Sequence, residues 1–186
     1  PYPKREDEKG NTFKTMLINP IKTRVFQESE NLFAFVIHYL KKIPEQSVIV
    51  VTSKIVALAE KRIVVVNDPQ SKEKIIRAES KFMMPTKYVW LTIKDGMLMA
   101  NAGIDESNAN DKLILLPKNS FKTARLLRKK FQQHYGVEQL GVLITDSRTT
   151  PLRLGTTGVA LGYAGFCGIK DYRGTPDMFG RKFKFS

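Results

Sequence analysis

The stretch "YVWLTIKDGMLMANAGIDESN", Tyr88 to Asn108, decides the fold. Two apolar runs, "YVWLTIK" and "GMLMANA", flank the pair Asp95-Gly96. A two-residue Asp-Gly link adopts positive φ at both positions and twists so that the flanking strands pair antiparallel. A β-hairpin is therefore predicted, with Trp90 packed in its sheet. Asn101-Ala102-Gly103 then lets the chain turn sharply, because Gly accepts φ > 0 and Asn tolerates it. Asp105 follows at once. Read alone, it is either a helix-capping residue in a polar loop or a carboxylate held past a strand end, suited to a cation. The residues leave both readings open.

Outward from the hairpin, β-branched and apolar runs predict further strands. These are "SVIVVTSK" (Ser47 to Lys54), "RIVVV" (Arg62 to Val66), "KLILLP", and "QLGVLITD" (Gln139 to Asp146), which ends on a carboxylate. Helical spacing places Leu32, Phe33, Val36, Leu40 and Ile43 on one face of a helix over Ser29 to Lys42. Ser29 would be its N-cap and Pro44 its stop. His38 lies off that face and is expected at the surface. Asp68-Pro69 introduces a helix near Ser71 to Met83, which Pro85 ends. Lys118, Lys122, Arg125 and Lys129 share one stripe of another helix, beside the apolar stripe Phe121, Ala124, Leu127 and Phe131. The predicted fold is α+β, a mixed or antiparallel sheet with packed helices. Residues 1–12, "PYPKREDEKGNT", read as a flexible arm and residues 13–186 as a single domain. The glycines of "LGTTGVALGYAGFCG" are expected where backbone approaches closely, with Gly158 more sensitive to substitution than Thr157.

Composition narrows the function classes. With 42% hydrophobic and 26% charged residues the chain is globular rather than disordered. No apolar run reaches the ~18 to 20 residues of a membrane span, and nothing at the start reads as a secretory signal. A cytoplasmic protein is expected. One cysteine, Cys167, excludes an internal disulfide and a cysteine-rich zinc site. In "AGFCGI" it reads as a small buried hydrophobe. The formal charge of +13 favours an anionic partner. Part of it is concentrated in the basic helix, either as a solvated face or as a nucleic-acid contact. The absence of interleaved aromatics there weakens the latter.

Asp105 and Asp146 each follow or end a predicted strand, and carboxylates at two strand ends can share one Mg²⁺ or Mn²⁺ that also holds nucleotide phosphates. "VTSK" ends a third strand with a hydroxyl and an ammonium, groups that suit a phosphate.

These residues carry a resemblance. "VTSKIVALAEKR", "ANAGIDESN", "LGVLITDS" and "GVALGYAGFCGIKDYRGTPDMFGR" occur in the order found in the coenzyme F420-0:L-glutamate ligase family, the GTP-dependent gamma-glutamyl ligases. The resemblance implies that Asp105 and Asp146 bind a divalent cation, and that Ser147 offers its hydroxyl to a second, where the family usually has Thr. It implies nucleotide contacts from Ser53, Lys54 and Asn108, and from Thr23, Arg24, Val25 and Phe26 before the first helix. It also implies Mg²⁺ or Mn²⁺ as cofactor and GTP as co-substrate. The partners implied are L-glutamate, an anionic acceptor such as F420-0, and a second copy in a homodimer. Arginines such as Arg153 would hold the acceptor. No individual catalytic side chain is assigned. The chain departs from the family at "DSRTTP", where "DTxGRP" is common, and at apolar Leu58, where a Lys is often found. The family's chains run on past "DMFGR", so the domain is expected to lack their C-terminal part. The alternatives are a non-catalytic nucleotide-binding relative and a basic nucleic-acid-binding module.

Overall fold

The computed structural model describes residues 16–66, 68–106, 112–150 and 152–185; the arm expected over residues 1–12 lies outside them. In chain order the elements are α1 (Leu32–Tyr39), β1 (Ser47–Thr52), α2 (Ser53–Ala59), β2 (Ile63–Val65), α3 (Pro69–Glu79), β3 (Phe82–Pro85), β4 (Trp90–Lys94) and β5 (Met97–Ala100). A 3₁₀ turn (Asn101–Gly103), β6 (Lys112–Ile114), α4 (Ser120–Tyr135), β7 (Leu140–Arg148) and β8 (Thr157–Ala164) follow. The fold is α+β. One sheet is mixed, ordered β1-β7-β8, with β1 parallel to β7 and β7 antiparallel to β8. β2 and β6 form an antiparallel pair, and β3-β4-β5 is an antiparallel meander.

Alternation along β7 builds the core. Leu140, Val142 and Ile144 share one face and are fully buried, as period-2 geometry requires of a strand covered on that side. Against them pack Ala124, Leu127 and Phe131 of α4 and Val56 of α2. α4 starts where the Asn119 side chain accepts the Lys122 N–H, and ends where Gly136 turns left-handed at φ 66°. Its stripe is as expected except at Phe121. That ring stays 45% exposed and packs edge-on against Tyr163. Lys122, Arg125 and Lys129 face solvent.

The Asp95-Gly96 hairpin forms as read, with φ of 51° and 75° at its two residues and Trp90 half-buried in β4. Other boundaries differ. Ser29 is not the cap of α1: it sits at φ 65°, and Asn31 accepts the Ala34 N–H instead. α1 ends at Tyr39, well before Pro44, and buries Phe35, a residue absent from the expected face. α3 begins at Pro69, with Asp68 accepting the Ser71 N–H, and stops at Glu79. Phe82 to Pro85 is a strand rather than helix, because pairing with β4 (Phe82 opposite Ile93) overrides local helical spacing; Pro85 is tolerated at its end. "VTSK" divides, Thr52 ending β1 and Ser53 starting α2. "KLILLP" is a strand only to Ile114. β7 runs two residues past Asp146, because β8 pairs with it as far as Arg148. Cys167 is exposed, its thiol donating to the Ile169 carbonyl oxygen at 3.0 Å. His38 is exposed as expected. An added Cβ at Gly158 would meet nothing within 4 Å among the described residues, so no close approach there requires that glycine.

A charge cluster ties α3 to the hairpin. Glu79 accepts from Lys94 Nζ and, at 2.7 Å, from Arg62 Nη2; the Lys94 side chain is only 10% exposed. Burial raises the Glu79 pKa, but the bonds from Lys94 and Arg62 outweigh it and hold the carboxyl below its ordinary 4.5. A depressed carboxyl contributes stability that is complete above the unfolded-state value and is lost as pH falls through the lower native value. Glu79→Gln is expected to remove about 2 kcal/mol near pH 7, since it leaves a buried ammonium short of its partner. In urea titrations the difference should shrink as pH falls below about 4.5 and through the lower native value. A difference that stays the same from pH 7 down to the acid limit of folding would show that the charge is not the cause.

Candidate functional site

Asp105 is placed by an unusual turn. Asn101, Ala102 and Gly103 all have positive φ (48°, 55° and 71°). For Asn and Ala that conformation is uncommon and must be held from outside. The Asn101 side chain accepts the Trp90 N–H at 2.9 Å. The Ala102 N–H donates at 2.8 Å to Thr92 Oγ1, which donates in turn to the Met99 carbonyl oxygen. Thr92 and Ala102 are both fully buried, so these bonds are made away from water. Gly103 has no room for a side chain: a Cβ would lie 2.6 Å from Leu116 Cδ1. The chain leaves this turn and Asp105 is fixed by two backbone bonds with Ile114, each 2.9 Å.

Asp146 is carried by β7 on the face that buries Leu140, Val142 and Ile144, where the core stripe gives way to charge. Ser53 and Lys54, the first two residues of α2, then reach both carboxylates. Ser53 Oγ donates to Asp146 Oδ1 at 2.7 Å. Lys54 Nζ pairs with Asp105 Oδ2 at 2.6 Å. Two residues adjacent in sequence, with Cα atoms about 3.8 Å apart, thus each contact a carboxylate from a different segment: Asp146 on β7 and Asp105 at its bridge to Ile114. Ser53 is 5% exposed, whereas Asp105 and Lys54 keep 38% and 30% of their side chains in solvent. The group is anchored on one side and open on the other.

Four predicted residues thus pair two by two, Ser53 with Asp146 and Lys54 with Asp105. Ser147 is next to Asp146, but strand alternation turns it to the opposite face, where it is exposed. It therefore addresses a different region from Asp146. Asn108 lies outside the described residues. Thr23 to Phe26 contact α1 instead. Arg24 forks onto Glu30 (2.9 and 2.5 Å) and lies over the Phe35 ring. That pairing raises the Arg24 pKa and lowers the Glu30 pKa. Phe26 is buried edge-on against Phe35, Val25 is exposed, and Thr23 donates only to the Arg24 carbonyl oxygen. A shallow cleft of about 350 Å³ opens there, lined by Arg24, Glu30, Phe35, His38 and Tyr39 among others.

Among the described residues no three His, Cys, Asp or Glu side chains group to hold a metal. The donors present fit one class of ion only. Two carboxylates flanked by a hydroxyl are hard oxygen ligands, too few for a protein-only cage. They suit Mg²⁺ or Mn²⁺, which usually complete their shell with water and substrate phosphates. Sequence reasoning missed Arg148, the last residue of β7: 9% exposed, it has one guanidinium nitrogen buried without an acceptor among the described residues. An Arg inside the strand-to-loop passage "DSRTTP" was the available signal.

Comparison with known proteins gives the same family as the motifs. The family model described as F420-0:gamma-glutamyl ligase matches residues 65–186. "Coenzyme F420:L-glutamate ligase" of Methanopyrus kandleri is 40% identical over 121 residues, covering 64% of this chain and 48% of that protein. The Methanococcus maripaludis (strain C6) protein of the same name is 31% identical over 158 residues, 75% of this chain and 63% of its own. That of Haloarcula marismortui is 36% identical over 118 residues, 63% of this chain and 46% of its own. The chain spans about half the length of the curated relatives it matches. No helix among the described residues is long and apolar enough to cross a membrane.

Proposed function

The chain belongs to the F420-0:gamma-glutamyl ligase family, and from that membership and the gathered carboxylates we propose that it is a GTP- and divalent-metal-dependent gamma-glutamyl ligase. The reading joins L-glutamate to a carboxylate acceptor such as F420-0. The observation that carries it is the junction of Ser53 with Asp146 and Lys54 with Asp105, made by three of the stretches on which the family resemblance rests.

The reaction uses this junction as follows. The acceptor carboxylate attacks the γ-phosphorus of GTP, giving an acyl phosphate and releasing GDP. The amine of L-glutamate then displaces inorganic phosphate, forms the amide and gives up a proton. Asp105 and Asp146 would hold Mg²⁺ or Mn²⁺, while Ser147, exposed on the opposite face of β7, would serve a second ion only in a separate region. A metal held by these carboxylates would neutralise phosphate charge during transfer. Lys54 exchanges its pairing with Asp105 for the phosphates, and Ser53 keeps Asp146 oriented. Asn108 and the exposed Thr23, Arg24 and Val25 would serve the nucleotide from separate segments, whereas Phe26 stays buried against Phe35. A homodimer fits this reading, since Val48 and Val50 stay 48% and 59% exposed on the outer face of β1, an apolar strip for a second copy, and a cytoplasmic location is part of the same proposal.

Isothermal titration with GTP and Mn²⁺ should give saturable binding that EDTA abolishes. Incubation with GTP, L-glutamate and F420-0 should then yield GDP and the glutamyl amide. Binding without products would replace the reading with that of a non-catalytic nucleotide-binding relative, to which the altered "DSRTTP" segment points. No metal-dependent binding would overturn both.

A further inference from the structure

We propose that Arg148 is a receptor for a tetrahedral or planar oxyanion, a phosphate or a carboxylate, entering beside Asp146 by displacing the side chain of Met97. Arg148 stands opposite Thr157 at the end of β7, on the same face as Asp146 and two residues, roughly 7 Å, further along the strand. Its side chain turns inward rather than to solvent: the residue is 9% exposed. Nη1 donates only to the thioether Met97 Sδ, at 3.1 Å, and Nη2 is buried with no acceptor among the described residues.

A buried guanidinium in this state is poorly satisfied. Sulfur in a thioether is a weak acceptor, and a charged donor away from water calls for an oxygen partner. Buried polar groups are otherwise nearly always paired, so an exception points to a missing partner. Guanidinium presents parallel N–H groups that match two oxygens of one phosphate or carboxylate. Met97 is suited to give way, because its unbranched side chain has several low-energy arrangements. The thioether holds the guanidinium in place until an oxyanion supplies the stronger acceptors.

The inference stands apart from the nucleotide reading, because its test needs neither metal nor GTP. Thermal shift titrations with inorganic phosphate, and in a second arm with L-glutamate, distinguish the two sources of oxyanion. The +13 chain attracts anions generally, so the comparison with Arg148→Met decides. In anion-free buffer Arg148→Met should melt no lower than wild type, since an apolar side chain of similar length fills the site without an unpaired charge. Its apparent affinity for the anion that stabilises wild type should fall about tenfold or more. Arg148→Lys keeps the charge but not the fork, and should fold normally while losing affinity to a similar degree. Met97→Ala should retain or strengthen the response. Either of two results overturns the proposal. In one, Arg148→Met or Arg148→Lys binds the anion as tightly as wild type; in the other, wild type responds to neither anion. If Arg148→Met cannot be purified folded, Arg148→Lys decides by the same criterion.

Discussion

Asp105→Asn and Asp146→Asn should each weaken metal-dependent GTP binding by about two orders of magnitude while leaving the melting temperature nearly unchanged. The two halves of that expectation have different causes. A cation held by two protein carboxylates and completed by phosphates loses half of the protein's formal negative charge when one becomes an amide. In Asp146→Asn the surviving carboxylate, Asp105, stands beside Lys54, whose ammonium neutralises it without any divalent ion. Affinity for GTP with Mn²⁺ should fall by on the order of 10²-fold, the scale seen when one preorganised group on a developing or bound charge is removed. Stability depends on neither carboxylate to that extent. The Lys54–Asp105 pair is about a third exposed on both sides, and such pairs contribute roughly 0 to 1 kcal/mol. In Asp146→Asn the amide oxygen can still accept from Ser53, so the loss there is also within about 1 kcal/mol. Titration calorimetry and a melting curve on the same preparations separate the outcomes. If either variant melts about ten degrees lower, several kcal/mol in a domain of this size, and still binds GTP with Mn²⁺, the carboxylates are structural caps and the metal assignment fails.

What could be read before the fold was known followed the range of each interaction. The Asp95-Gly96 hairpin was legible because a two-residue turn is a local property, set by φ preferences that no distant residue needs to supply. The buried stripe of α4 was legible for the same reason, as one helix face. Phe82 to Pro85 was not, since its partner is Ile93 across a sheet rather than a neighbour along the chain. Ser29 failed as a cap because Asn31, two residues on, offers an equally good acceptor and local spacing cannot choose between them. At the site, sequence singled out Ser53, Lys54, Asp105 and Asp146, yet only the register of β1 on β7 and the bridge from Asp105 to Ile114 show why they pair. Arg148 escaped notice because its place in "DSRTTP" marks a strand end but not that its guanidinium turns inward, which depends on β8 and Met97.

Alanine at Gly162 in β8, or at Gly165 just after it, should cause a large loss of stability, at two of the glycines in "LGTTGVALGYAGFCG" where close backbone approach was expected. At Gly162 a Cβ would lie 2.4 Å from the Ser120 carbonyl carbon and 2.5 Å from the Phe121 nitrogen. Both are backbone atoms at the start of α4, so relief requires moving a helix that buries Ala124, Leu127 and Phe131 against β7. At Gly165 the Cβ would stand 2.2 Å from the Leu140 carbonyl oxygen. That oxygen already accepts from Arg128 Nε at 2.6 Å, and φ of +91° disfavours any side chain there. Overpacking against backbone together with strain at positive φ places each substitution at about 3 kcal/mol or more. In a domain of this size that lowers the melting temperature by roughly 6 to 12 °C. Gly158→Ala supplies the internal control on the same strand: its Cβ meets open space, and the change should stay within about 0.5 kcal/mol of wild type. Urea denaturation of the three variants orders them. If Gly162→Ala proves as stable as Gly158→Ala, α4 does not rest on β8 at the distance described, and the covered face of β7 that aligns Asp146 with Ser53 must be built in some other way.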